Sequence, residues 1–151
     1  MNYILVSACL MGINCRYDGG NNRNEKVLSL LNDKDICLIP ICPEQLGGLT
    51  TPRLPSERNG GRVIQNSGAD VTKAFETGAQ EALRVAQLWG CDRAILKAKS
   101  PSCGCGQIYD GTFSHKLTPG NGCTAELLLR EGITIFDENM QEFKINTARN
   151  L

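Results

Sequence analysis

Net charge is what this sequence most plainly lacks: sixteen Lys and Arg balance sixteen Asp and Glu. No long polyanion is implied as a partner, and with aromatics at only 5% of residues nucleic-acid binding is disfavoured. No run approaches the ~20 apolar residues that span a bilayer, so no membrane partner is expected. The amino terminus has neither a basic region nor a cleavage-type signal, and the expected location is cytoplasmic. Histidine occurs once, as His115 on a polar loop, where solvation is its ordinary fate. No CxxC pair is answered by a second CxxC, the spacing of many structural zinc sites. Repeats, low-complexity tracts and signs of a second domain are also missing, and nothing specifies an oligomeric state.

Cysteine, by contrast, is plentiful, with eight in 151 residues. A chain of this length fits one domain, 1–151, and buries roughly 68–70% of its unfolded surface. That is enough for a core without disulfides. In a reducing compartment such richness signals metal or thiol chemistry more often than cross-links.

The thiols follow apolar runs. Tyr3–Ala8 reads as a β-branched strand and runs into Cys9, and Ile36–Ile41 reads as a second and runs into Cys42-Pro43-Glu44. Arg93–Ala98 reads as a third and leads through Lys99 into Ser100-Pro101-Ser102-Cys103. Asn24 suits the cap of a short helix to about Leu31. The stripe Val71, Ala74, Phe75, Gly78, Ala79, Ala82, Leu83, Ala86 predicts a long helix from about Asp70 to Trp89, closed by Gly90. Thr124–Arg130 reads as another helix and Ile133–Phe136 as a fourth strand. Residues 42–67 and 100–122 read as long Gly-rich loops, the first with a small strand at Arg62–Gln65. The last fifteen residues read as polar periphery.

Strands alternating with helices predict an α/β fold: a mostly parallel sheet with flanking helices, Rossmann-like and three-layered. Such sheets bind ligands at the carboxyl edge of their strands. Cys9, Cys42 and Cys103 would collect there. Cys37 starts the second strand, roughly 16 Å from that edge at about 3.3 Å per residue, and Cys91 precedes the third. Both read as small buried hydrophobes. Cys123 opens a helix and can face either way, while Cys15 and Cys105 lie on nearby loops and compete with the three. From spacing alone the strand-end thiols have three readings: inert packing, zinc with an open position, or an iron–sulfur cluster. Separate loops without histidine lean to the cluster and leave the choice open.

Ser7-Ala-Cys-Leu-Met-Gly12 with Cys15-Arg-Tyr-Asp-Gly19, Cys42-Pro-Glu-Gln-Leu-Gly-Gly48 with Thr51-Pro-Arg53, and Lys97 with Ser100-Pro-Ser-Cys-Gly104 closely resemble the DUF523 family. That family is associated with TudS-type desulfidases of thiouracil and 4-thiouridine monophosphate. The likeness extends through Tyr109-Asp-Gly-Thr-Phe113 and Gly120-Asn-Gly-Cys-Thr124, and is to the short, single-domain form. It implies a 4Fe-4S cluster held only by Cys9, Cys42 and Cys103, with the fourth iron open to a substrate sulfur. Cys15 and Cys105 are then bystanders or a resting ligand to that iron.

The resemblance implies a non-redox hydrolase. A soft thiocarbonyl sulfur binds the open iron, the adjacent carbon becomes more electrophilic, and Glu44 activates the water that attacks it. Hydrosulfide leaves, and the thiolated uracil or nucleotide becomes its oxo form. Ser100 is the implied second catalytic residue, serving the ring nitrogen or the developing oxyanion. A nucleotide also needs an anion site, for which Arg16 and Arg53 on flanking loops are candidates. The amides of Gly122, Cys123 and Thr124 at a helix start are others. Tyr17 suits stacking on a base or ribose, and Lys97 and Lys99 suit compensation of cluster charge. The alternatives are a non-catalytic iron–sulfur or zinc protein that senses redox state or carries sulfur, and a binding domain with structural cysteines. Glu44 and Ser100 have no evident purpose in a sensor.

Overall fold

The computed structural model describes residues 1–143; the part of the expected polar periphery at 144–151 lies outside them. The chain opens with β1 (Asn2–Ser7), a 3-10 turn at Ala8–Met11, and the short helix α1 (Glu25–Leu28), extended by a second 3-10 turn to Asn32. As the sequence suggests, the Asn24 side chain caps α1 by accepting from the Val27 amide at 3.1 Å. β2 (Ile36–Ile41) follows, then α2 (Pro43–Leu46), then the hairpin of β3 (Ser56–Asn59) and β4 (Arg62–Gln65). The long helix α3 (Thr72–Trp89) ends at Gly90, which takes the left-handed φ of 67°. Next come β5 (Arg93–Ile95), the hairpin of β6 (Gln107–Tyr109) and β7 (Leu117–Pro119), α4 (Cys123–Arg130), β8 (Thr134–Phe136) and β9 (Glu142–Phe143).

The main sheet has the order β2-β1-β5-β8-β9. Its first four strands are parallel, and β9 adds an antiparallel edge. Alternation along β1 divides the core, as the pleat requires. Leu5 packs with Ala82, Leu83 and Ala86 of α3 and Leu128 and Leu129 of α4, while Ile4 and Val6 join Leu10 and Val27 on the other face. Helices thus cover both faces. The chain moves from β1 outward to β2, then returns to the far side of β1 for β5 and β8. That reversal puts the topological switch point between β1 and β5, where such sheets hold ligands.

The departures from the sequence reading are local. The third strand ends at Ile95 rather than Ala98: Leu96 N makes a last bond to β8, at Phe136 O, and beyond it Lys97 N donates to the Ser7 side chain instead. The region 42–67 contains α2 and the partner strand β3, and 100–122 contains the β6–β7 hairpin. These elements are three or four residues long, too short for an apolar period to register. The stretch after Phe136 is not peripheral throughout. Asp137 is buried, and Glu138 pairs with Lys97 at 2.8 Å.

Candidate active site

Three strand ends deliver three thiols to one cavity of about 550 Å³. Cys9 lies in the 3-10 turn after β1, Cys42 is the residue that starts α2 after β2, and Cys103 lies in a turn after β5. Glu44 and Ser100 line the same cavity, together with Cys15, Asn22 and Ser102. The β1 and β5 ends are tied where Lys97 N donates to Ser7 Oγ at 2.9 Å. The turn carrying Cys103 is tied to α4, whose first amides at Gly122, Cys123 and Thr124 donate to Gly104 O, Pro101 O and Ser102 O.

Glu44 and Cys42 owe their place to two glycines. A Cβ on Gly78 of α3 would stand 1.9 Å from Pro43 O, and one on Gly47 would stand 2.0 Å from Ala74 O. Only bare backbone lets α2 lie this close to α3. The Cys42-Pro43-Glu44 turn is thereby held at the cavity wall.

The thiols sit in donor-rich surroundings. Asn22 Nδ2 donates to Cys9 Sγ at 3.5 Å, against burial that pushes this thiol up. Burial raises Cys103 to about 12, with hydrogen bonds from Ser7 and Ser102 opposing. At Cys42 the direction reverses, because the Cys15 side chain donates to it and holds it below the usual thiol range. The same contact, together with burial, pushes Cys15 up. The charges of Cys9 and Cys42 push Cys103 up further, and that of Cys42 pushes Cys9 up.

Both oxygens of Glu44 are occupied. Arg53 Nε donates to Oε1 and Ser102 Oγ donates to Oε2, each at 2.9 Å. Ser102 Oγ also lies 2.9 Å from Ser100 Oγ. Ser100 Oγ in turn accepts from the amides of Ser102 and Cys103 at 3.1 and 3.0 Å. Sequence reasoning missed Ser102; its position beside Cys103 in the Ser-Pro-Ser-Cys run was the available signal.

The remaining candidates divide. Arg16 and Tyr17 stand at the cavity rim, 37% and 39% exposed, with the Arg16 guanidinium 5.4 Å from the Tyr17 ring centroid. Arg53 lines the cavity, yet its donors are spent on Glu44, Thr50 O, Thr51 Oγ1 and Cys15 O. It is a scaffold for Glu44 rather than a free cation. Gly122 and Thr124 are not brought to the cavity, and their amides serve the Cys103 turn as described. Cys105 is buried in the core between the sheet and α3 and α4, where burial pushes it up to about 11. Cys91 is buried and Cys37 half-buried in that same core. Cys123 is half-buried at the start of α4, also away from the cavity.

Of the far rim only Lys99 is singled out by the sequence. This rim carries Lys99, Phe113 and His115, which hold left-handed φ values of 72°, 57° and 61° without being glycine. Strain of this kind collects at ligand sites. The Glu57 carboxylate ties the loop down by accepting from the amides of Gly111 and Phe113, both at 3.0 Å.

The donor set suits a soft metal centre, since thiolates with hydrogen-bond donors are what iron–sulfur clusters use. Among the described residues no three His, Cys, Asp or Glu side chains converge as a single metal ion requires.

The family model described as 2-thiouracil desulfurase matches residues 4–140. The uncharacterized protein YbbK of Bacillus subtilis (strain 168) is 43% identical over 146 residues, covering 90% of this chain and 95% of the relative. A solved structure of the 4Fe-4S-dependent thiouracil desulfidase TudS (DUF523) matches with a TM-score of 0.85 at 42% identity, covering 92% of each chain.

Proposed function

The chain belongs to the 2-thiouracil desulfurase family, and from that premise we propose that it is a 4Fe-4S-dependent desulfidase of a thiolated uracil or 4-thiouridine monophosphate. The reaction replaces C=S by C=O and releases hydrosulfide without net electron transfer. The observation that carries this reading is the meeting of Cys9, Cys42 and Cys103 with Glu44 and Ser100 in one cavity. Those three thiolates would hold the cluster, which supplies when bound a soft Lewis acid for the thiocarbonyl.

The remaining chemistry falls to the chain's own groups. The Glu44 carboxylate takes the proton of the attacking water, a general-base role that needs a group held within hydrogen-bond reach. Arg53 holds that carboxylate turned the right way through its bond to Oε1. The Ser100 hydroxyl serves the ring nitrogen or the oxygen that forms on carbon. Arg16 and Tyr17 at the rim receive whatever extends from the ring, with Tyr17 offering a stacking face. Lys97, paired to Glu138 at 2.8 Å, places positive charge near Cys9.

The test is anaerobic reconstitution followed by a hydrosulfide assay with 2-thiouracil and with 4-thiouridine monophosphate. The loaded wild-type protein turns over at least one of them, and Glu44→Ala keeps the cluster absorption while losing release. A loaded protein inert toward both would overturn the reading and leave a sensor or sulfur carrier in its place.

A further inference from the structure

We propose that Ser102 is the positioning residue of this site, joining Glu44 and Ser100 into a single hydrogen-bonded unit; the inference rests on the desulfidase reading. Ser102 is 2% exposed and lies 2.9 Å from both Glu44 Oε2 and Ser100 Oγ. A hydroxyl has one proton to give, and an ionised carboxylate can only accept. The Ser102 proton therefore goes to Glu44 at 2.9 Å rather than to the Cys103 sulfur at 3.8 Å. Ser100 Oγ already accepts two amides, so its own proton fills the vacant side of Ser102. The chain of donors runs one way, from Ser100 through Ser102 to Glu44.

This polarity has a structural consequence. With Arg53 on Oε1 and Ser102 on Oε2, the Glu44 carboxylate is fixed against rotation about its terminal bond. Without Ser102 it is anchored through one oxygen, and the Ser100 hydroxyl loses its acceptor and swings free. Ser102 is itself fixed from behind. Its carbonyl accepts from Thr124 N and Ala125 N at 2.9 and 3.1 Å, and a Cβ on Gly122 would stand 2.5 Å from its backbone. The start of α4, which does not reach the cavity, thus acts on the site through Ser102. The close partners of the hydroxyl are Glu44 and Ser100, both at 2.9 Å, while Cys103 Sγ lies farther off at 3.8 Å, so its effect is exerted chiefly through the first two.

Misplacing a reacting group by about 1 Å can cost on the order of 100-fold. In reconstituted protein, Ser102→Ala is expected to lower kcat by on the order of 100-fold with KM within a few-fold of wild type and cluster content unchanged. Ser102→Thr, which keeps the hydroxyl, restores most of the loss. Wild-type kcat in Ser102→Ala, or a Ser102→Thr protein no better than Ser102→Ala at equal cluster content, overturns the proposal. A second arm does not depend on turnover: the Tm losses of Ser102→Ala, Glu44→Ala and the double variant fail to add, because both singles break one bond. Additive losses overturn the unit whatever the activity. Loaded wild-type protein inert toward both thiolated substrates sinks the desulfidase reading instead, and the Tm cycle still decides the unit.

Discussion

Arg53 gives its Nε proton to Glu44 Oε1 across 2.9 Å, from a side chain only 4% exposed. In the sequence this arginine resembles a phosphate ligand; in the fold it is the strut of the carboxylate. Truncating one partner of such a buried pair leaves the other uncompensated, at a cost of about 3–5 kcal/mol. Arg53→Ala is therefore expected to lose about 3 kcal/mol of stability by urea denaturation. Arg53→Lys should recover only part, since an ammonium cannot reproduce the guanidinium's several fixed donors. A full recovery by lysine would contradict the role of the fork.

The eight thiols should separate by function. Cys9→Ala, Cys42→Ala and Cys103→Ala are expected to lose iron, sulfide and visible absorption after anaerobic reconstitution. Cys105→Ala should keep all three, because Cys105 belongs to the core. Cys15→Ala should also keep the cluster, although Cys15 touches Cys42. Cluster loss in Cys15→Ala with retention in one of the first three would reassign the ligands.

Gly78 lies on the long helix, yet its influence is on the site. A methyl there would meet Pro43 O at 1.9 Å. Gly78→Ala is expected to cost about 1–3 kcal/mol by overpacking, even though alanine is the better helix former. The same variant should lose hydrosulfide release, because α2 must move and takes Cys42 and Glu44 with it. An unfolding midpoint at or above wild type would show that the helices part easily.

Alkali should destabilise the metal-free chain. Burial holds Cys103 at about 12 and Cys105 at about 11 in the folded state, against an ordinary value of 9.0. Above pH 9 the unfolded chain binds fewer protons than the folded one, so stability falls as pH rises. The fall continues until the folded thiols ionise, near 11 for Cys105. Tm should decline above about pH 9, and Cys105→Ala should show a shallower decline. A decline equal to wild type in that variant would remove Cys105 as a contributor.

Much of the framework was legible because it repeats. The apolar runs that become β1 and β2, the stripe that becomes α3, and Gly90 after it each carry a local signal several residues long. The order of strand ends also foretold that Cys9, Cys42 and Cys103 would share an edge. The short hairpins were hidden, since three-residue strands show no period. In the sequence Arg53, Gly122 and Thr124 look like ligand groups, because isolated loop chemistry looks available until its partners are known.

Sequence by itself determined the alternation of strands and helices and the placement of three cysteines just past strand ends, since hydrophobic period and chain order are local properties. Tertiary structure alone decided which donors remain free for a guest. Hydrogen-bond partners of Glu44 come from residues nine and fifty-eight positions away, and only the folded backbone brings such distant groups within reach of one carboxylate.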